Sequence, residues 1–161
     1  LDYLVVDMPP GTGDVQLSIA QLLPVSGCVV VTTPQDVAFA DVRRAIKMLH
    51  TVNTPILGLV ENMSHFLCGA CGAEHHIFGE GNIDSHAEEH GLDVLGKIPM
   101  DSLVALAGDK GEPVVAAAPD SVPSKAYVEF AATVDRLMAE ASGGAFSPSE
   151  QFSSFFQMKK S

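Results

Sequence analysis

Short, unbroken apolar runs recur along the chain: Leu4-Val5-Val6, Cys28-Val29-Val30-Val31, Ile56-Leu57-Gly58-Leu59-Val60 and Val94-Leu95-Gly96-Lys97-Ile98. A strand with one wet face alternates apolar and polar residues, but these runs are apolar at consecutive positions, as in a parallel sheet covered on both faces. Segments with helical spacing lie between them. Val15, Ile19, Leu22 and Leu23 follow a cap at Asp14, and Phe39, Val42, Ile46 and Leu49 follow Asp36. A third helix is expected from about Ile83 to His90, stopped by Gly91. A last one carries Tyr127, Phe130, Ala131, Val134, Leu137 and Met138 on one side. This pattern predicts an α/β fold, an open, mainly parallel sheet with helices on both faces, over residues 1–141. Residues 142–161 turn to Ser, Gly, Pro and Gln with scattered Phe and read as a disordered tail.

With 161 residues and 47% hydrophobic content, the chain suits one domain with a substantial core. No apolar run approaches the length of a membrane span. Nine Lys+Arg against 20 Asp+Glu leave a formal charge of −11, which repels phosphate backbones and anionic lipid, so nucleic acid is a poor partner. Three cysteines, two of them in Cys68-Gly69-Ala70-Cys71, suit metal or redox chemistry in a reducing compartment better than a disulfide framework. Cys28, inside an apolar run, reads as a small buried hydrophobe. The chain opens at Leu1 without an initiator Met, basic region or cleavage site, and is read as the C-terminal portion of a longer protein.

Ligands of open α/β sheets sit beyond the C-terminal ends of the strands, which here means Asp7 to Asp14, Thr32 to Asp36, Glu61 to Ser64 and Pro99 to Asp101. Asp7, at the end of the first run, is placed to hold the water shell of Mg²⁺, as a Walker B acid does. The loop after it, Met8-Pro9-Pro10-Gly11-Thr12-Gly13-Asp14, has glycines that let backbone N–H groups approach a γ-phosphate. A turn and a helix cap account for Pro34 and Asp36, and Thr32, Thr33 and Gln35 are given no individual role. The Cys-x-x-Cys pair follows a strand and an Asn-Met-Ser turn, and its gap lets both sulfurs face one centre. A pair supplies only two of the four ligands of a closed site. A second subunit, the nearby His65, His75 or His76 around zinc, a redox pair, or two ordinary thiols all remain open.

Five strings, in order over the first hundred residues, resemble the Mrp (ApbC, Nubp) family of iron–sulfur carrier ATPases, relatives of MinD and ParA. They are DMPPGTGD (7–14), VTTPQDVAFADVRRAI (31–46), ENMSHFLCGACG (61–72), HIFGEG (76–81) and GKIPMD (96–101). The resemblance implies the deviant-Walker-A class of P-loop NTPase, with its N-terminal strands missing from this chain. It also implies roles. Asp7 would be the Walker B acid, and Gly11, Thr12, Gly13 and Asp14 the switch loop. Asn62 would meet adenine through its amide, with Pro99 and Met100 lying along the base. Cys68 and Cys71, in a loop spanning about 61–81, would hold half of a [4Fe–4S] cluster shared across a homodimer and delivered to apo iron–sulfur proteins, with ATP and Mg²⁺ as cofactors.

One departure from the family is large: no GKGGVGKS-like loop occurs in the chain. The expectation is therefore that these residues alone do not hydrolyse ATP, although the longer protein is an ATPase. The competing reading is a MinD- or ParA-like positioning ATPase with a structural zinc at the cysteines. The expected location is cytoplasmic, with an organelle such as the mitochondrion equally compatible.

Overall fold

The structure, a computed structural model, describes residues 2–9, 13–23 and 25–141. The expected tail at 142–161 lies outside the described residues. Four strands form one sheet around a long central member. This is β2 (Ile56–Leu67), with β1 (Cys28–Thr32) parallel to its first half and β4 (Val94–Met100) parallel on the opposite edge. β3 (Glu74–His75) pairs antiparallel with the far end of β2. Phe66 is paired with both His75 and Met100, so β3 occupies the β1 side of β2 and β4 the other. The mainly parallel α/β sheet is as expected. The difference is length: β2 runs straight through Asn62-Met63-Ser64, where a turn was expected, because Met63 takes φ +56° and the ladder shifts register there without ending.

The helices are α1 (Asp14–Leu22), α2 (Asp36–Thr51), α3 (Ile83–His90), α4 (Ser102–Asp109), α5 (Val114–Ala117) and α6 (Val122–Ala141). None is long and apolar enough to cross a membrane. On one face, Phe39, Val42, Ile46 and Leu49 of α2 close over Val30 and Leu59 of the sheet and meet Ile83 and Ala87 of α3. Those four α2 positions are the ones its helical spacing selects, and burying each stabilises by roughly 1.5–3 kcal/mol. α6 covers the β4 side, with Phe130 set against Gly96, where a Cβ would come within 3.4 Å of the Phe130 Cβ. Gly91 ends α3 in the left-handed region at φ +64°, as its position implies. Asp14 and Asp36 are not caps: Gly13 and Gln35 hold those positions, and each Asp sits in the first turn, where its charge favours the helix dipole. α4 and α5 have no counterpart in the sequence reading. Asp101 caps α4, accepting the Leu103 N–H at 2.8 Å.

The N-terminal stretch departs most from expectation. Leu4-Val5-Val6 is not a strand; residues 2–9 carry no ladder, and Val5 is 89% exposed. A strand needs a neighbour to take its N–H and C=O groups and pack its side chains, and no described strand pairs with this segment. One tie to the rest is a hydrogen bond from the Tyr3 hydroxyl to Asp135 of α6. α1 likewise leaves Val15 and Leu22 in solvent and buries Gln16, which donates to the Pro9 carbonyl at 2.7 Å.

Candidate functional site

β2 carries the chain away from the core, and the antiparallel pairs Phe66–His75 and Leu67–Glu74 turn it back as a hairpin. Cys68 and Cys71 are at its tip. The Cys68 N–H donates to the Ala73 carbonyl at 2.9 Å and the Gly72 N–H to the Cys68 carbonyl at 2.8 Å, so the loop closes on its own backbone. Gly72 stands at φ +71° with nothing within 4 Å of where a Cβ would be, so conformation and not space demands glycine.

The tip is chemically prepared. The backbone N–H groups of Ala70 and Cys71 are directed at the Cys68 sulfur, and the Cys71 thiol adds a hydrogen bond. Together they hold Cys68 below the ordinary thiol range against a smaller desolvation penalty. Lowering the pKa favours the thiolate, the form that ligates a soft metal. Cys28 is the opposite case: partly buried against the core, its thiol is pushed up by desolvation.

The neighbouring histidines are engaged. The Ser64 hydroxyl donates to the Ile98 carbonyl at 3.1 Å, so the His65 Nδ1 at 2.9 Å from the same oxygen must be the donor in that pair. His76 Nε2 lies 3.1 Å from a Glu74 carboxylate oxygen, and His75 tilts against Phe66. Among the described residues no three His, Cys, Asp or Glu side chains converge to hold a metal.

The nucleotide side is divided. Asn62 on β2 is paired with Ile98 on β4, which brings it beside Pro99 and Met100 at the C-terminal ends of adjacent strands. Its Oδ1 accepts the Met63 N–H at 3.0 Å, leaving the amide nitrogen and one lone pair, which fit the edge of a purine base. Asp7 is exposed on the unpaired N-terminal segment and is not carried to a strand end. Gly13 and Asp14 open α1, whereas Gly11 and Thr12 lie outside the described residues.

Sequence reasoning passed over Glu61, grouped among the strand-end residues and given no role. It is 3% exposed, and one of its carboxylate oxygens has no hydrogen-bond partner. The signal was present, since Glu61 directly continues the buried run Leu59-Val60.

The chain as a whole matches known proteins closely. The family described as ParA: NUBPL iron-transfer P-loop NTPase matches residues 1–135. The chain belongs to this family. Among its members, the iron-sulfur cluster carrier protein of Aquifex aeolicus is 49% identical over 138 residues, covering 86% of this chain and 38% of the relative. The iron-sulfur cluster transfer protein NUBPL of Mus musculus is 51% identical over 138 residues, again 86% of this chain and 43% of the relative. The Arabidopsis thaliana iron-sulfur protein required for NADH dehydrogenase, mitochondrial, is 50% identical over 140 residues, covering 87% and 45%. The chain thus spans less than half the length of these relatives. Among solved structures, the nucleotide-binding protein of Archaeoglobus fulgidus in complex with ADP superposes with a TM-score of 0.63 at 40% identity, covering 71% of this chain and 47% of that one. The MinD cell division ATPase of Pyrococcus furiosus gives 0.56 at 21% identity, covering 70% and 43%, a likeness of fold. The family is one of P-loop NTPases, and the α/β sheet is theirs.

Proposed function

We propose that this chain is the cluster-holding part of an iron–sulfur cluster carrier, in which Cys68 and Cys71 of two identical subunits grip a [4Fe–4S] cluster as cargo for apo iron–sulfur proteins. The observation that carries the reading is the hairpin tip. It offers two thiols, one of them stabilised as thiolate by its own backbone, with no third ligand converging among the described residues. Two such pairs across a two-fold axis complete the four thiolates that a cluster of this type takes. A solvent-facing site between subunits suits cargo, because it opens as the subunits part. The compartment proposed is the cytoplasm, with the mitochondrion, named for the Arabidopsis relative, as the alternative.

In the longer protein, ATP and Mg²⁺ would regulate this grip. Asp7 would hold the water shell of the Mg²⁺, and Gly11 to Asp14 would answer the γ-phosphate. Asn62, Pro99 and Met100 would receive adenine. The exposed, unpaired state of residues 2–9 agrees with a nucleotide end that is not assembled by this chain alone. With Asp7→Asn in the longer protein, cluster transfer is expected to lose its nucleotide dependence; transfer with normal dependence breaks the coupling.

The deciding experiment is anaerobic reconstitution with iron and sulfide followed by metal analysis. Wild type is expected to take iron and sulfide as a dimer, and Cys68→Ser or Cys71→Ser to take neither. Stoichiometric zinc without iron would overturn the carrier reading in favour of a positioning ATPase with a structural metal.

A further inference from the structure

Glu61 sits where three segments meet. It is paired in register with Thr32 of β1 on one side and Lys97 of β4 on the other. Its side chain lines a space too cramped for a water, together with Thr32, Thr33, Pro34 and Gln35, the loop leading into α2. Gly81 closes over it. Gly81 is the foot of the arm, residues 76–82, that returns from the cysteine hairpin to α3. At φ +70° this glycine packs so tightly that a Cβ there would stand 2.5 Å from Glu61 Oε1 and 3.3 Å from the Pro34 Cβ. One residue on, Asn82 Nδ2 reaches toward Asp36 Oδ1 at 3.4 Å, tying the same arm to the first turn of α2.

Among the described residues nothing donates to Glu61 Oε1. Burying an unpaired carboxylate costs several kcal/mol, so the seated arrangement favours the neutral acid. The charges around it do not reverse this. Lys97 is adjacent but pairs with Asp84 at 2.8 Å. Desolvation is the largest influence on Glu61 and raises its pKa; Lys97 and His76 oppose it, and Asp84 adds to it. His86 lines the same space and lies 3.8 Å from Asp36.

We propose that Glu61 is a positioning residue for the cysteine hairpin: its buried carboxyl is the seat for Gly81, and charging it unseats the return arm, loosening the hairpin from the Thr32–Gln35 loop. The inference rests on and deepens the carrier reading, because the arm it controls is the one by which the hairpin of Cys68 and Cys71 returns to α3. A neutral Glu61 accommodates the close approach of Gly81. An ionised one draws in water, which the closed space admits only when the arm lifts. The hairpin is thereby joined to the strand-end loop through one acid, and a nearby phosphate or Mg²⁺ that alters the loop would be felt at the cysteines.

The test is hydrogen exchange of the amides of residues 76–82 in the full chain without iron, from pH 5 to 9, expressed as protection relative to intrinsic exchange so that the chemistry of exchange cancels. Wild type is expected to lose protection, by up to about tenfold per pH unit, as pH rises from the ordinary carboxylate range to the raised value of seated Glu61, and to level off above it. Glu61→Gln, neutral at every pH, is expected to give a flat, protected profile, and Gly81→Ala a flat, unprotected one. Iron extraction by a chelator from loaded protein should follow the same order. A flat wild-type profile, or a Glu61→Gln profile that still falls with pH, overturns the proposal. Because exchange is read without iron, failure of reconstitution would sink the carrier reading and leave this result standing.

Discussion

The cysteine hairpin and the N-terminal segment both carry family strings of comparable length, yet one has a defined shape and the other does not. The hairpin closes through hydrogen bonds between residues five apart or fewer in sequence, Cys68 with Ala73 and Gly72 with Cys68, and extends from a strand already paired on both edges. Its order is local. Residues 2–9 hold an equally apolar run, but the groups that would pair with a strand there must come from elsewhere, and no described strand supplies them. A loop closed by its neighbours in sequence takes its shape without distant partners, whereas a segment that needs an adjacent strand does not.

The sharpest way to press that comparison is at the ligands. Replacing Cys68 or Cys71 by Ser is expected to abolish iron loading, whereas Asp7→Asn should leave loading of this chain unchanged, read by iron and sulfide analysis after reconstitution. Equal loss in all three would mean that the segments are not independent. Next comes stability. Ile46→Ala, in the core beneath the sheet, should cost about 2–5 kcal/mol in denaturant unfolding. Val5→Ala, 89% exposed, should stay within about 0.5 kcal/mol. A large cost at Val5 would place the N-terminal run in the fold after all.

Smaller is the backbone of the tip. Gly72→Ala, forced to φ +71°, should destabilise the loop by about 1 kcal/mol and weaken iron retention, while Gly69→Ala, with open space around it and no positive φ, should do little. The mildest effect is in thiol reactivity. Cys68, held below the ordinary thiol range, should alkylate at lower pH than Cys28, whose pKa burial raises. The sign follows for stability too. A depressed folded-state pKa contributes stability above the unfolded thiol value, lost as pH falls through the folded value. The raised pKa of Glu61 does the reverse: its contribution is present below the ordinary carboxylate range and lost as pH rises through the folded value. Alkylation of Cys28 before Cys68 would contradict the knuckle of N–H donors.

Much was legible in the residues themselves. Continuous apolar runs announced a sheet buried on both faces, and Phe39, Val42, Ile46 and Leu49 named the core side of α2 because their spacing is a property of one helix. The Cys-x-x-Cys pair marked a candidate metal loop, and the tight turn at its end, with Gly72 at φ +71°, is set by neighbours in sequence. What tertiary structure alone decided were the non-local outcomes. Leu4-Val5-Val6 has strand chemistry but no ladder, and Asn62-Met63-Ser64 has turn chemistry but stays within a strand because β4 pairs on either side of it, at Asn62 and Phe66. Glu61, one more residue at a strand end in the sequence, becomes an unpartnered buried acid only when Pro34 and Gly81 close on it. Spacing along a chain encodes which faces a segment has, but whether a partner arrives to cover them depends on segments far away, and burial energy is settled only there.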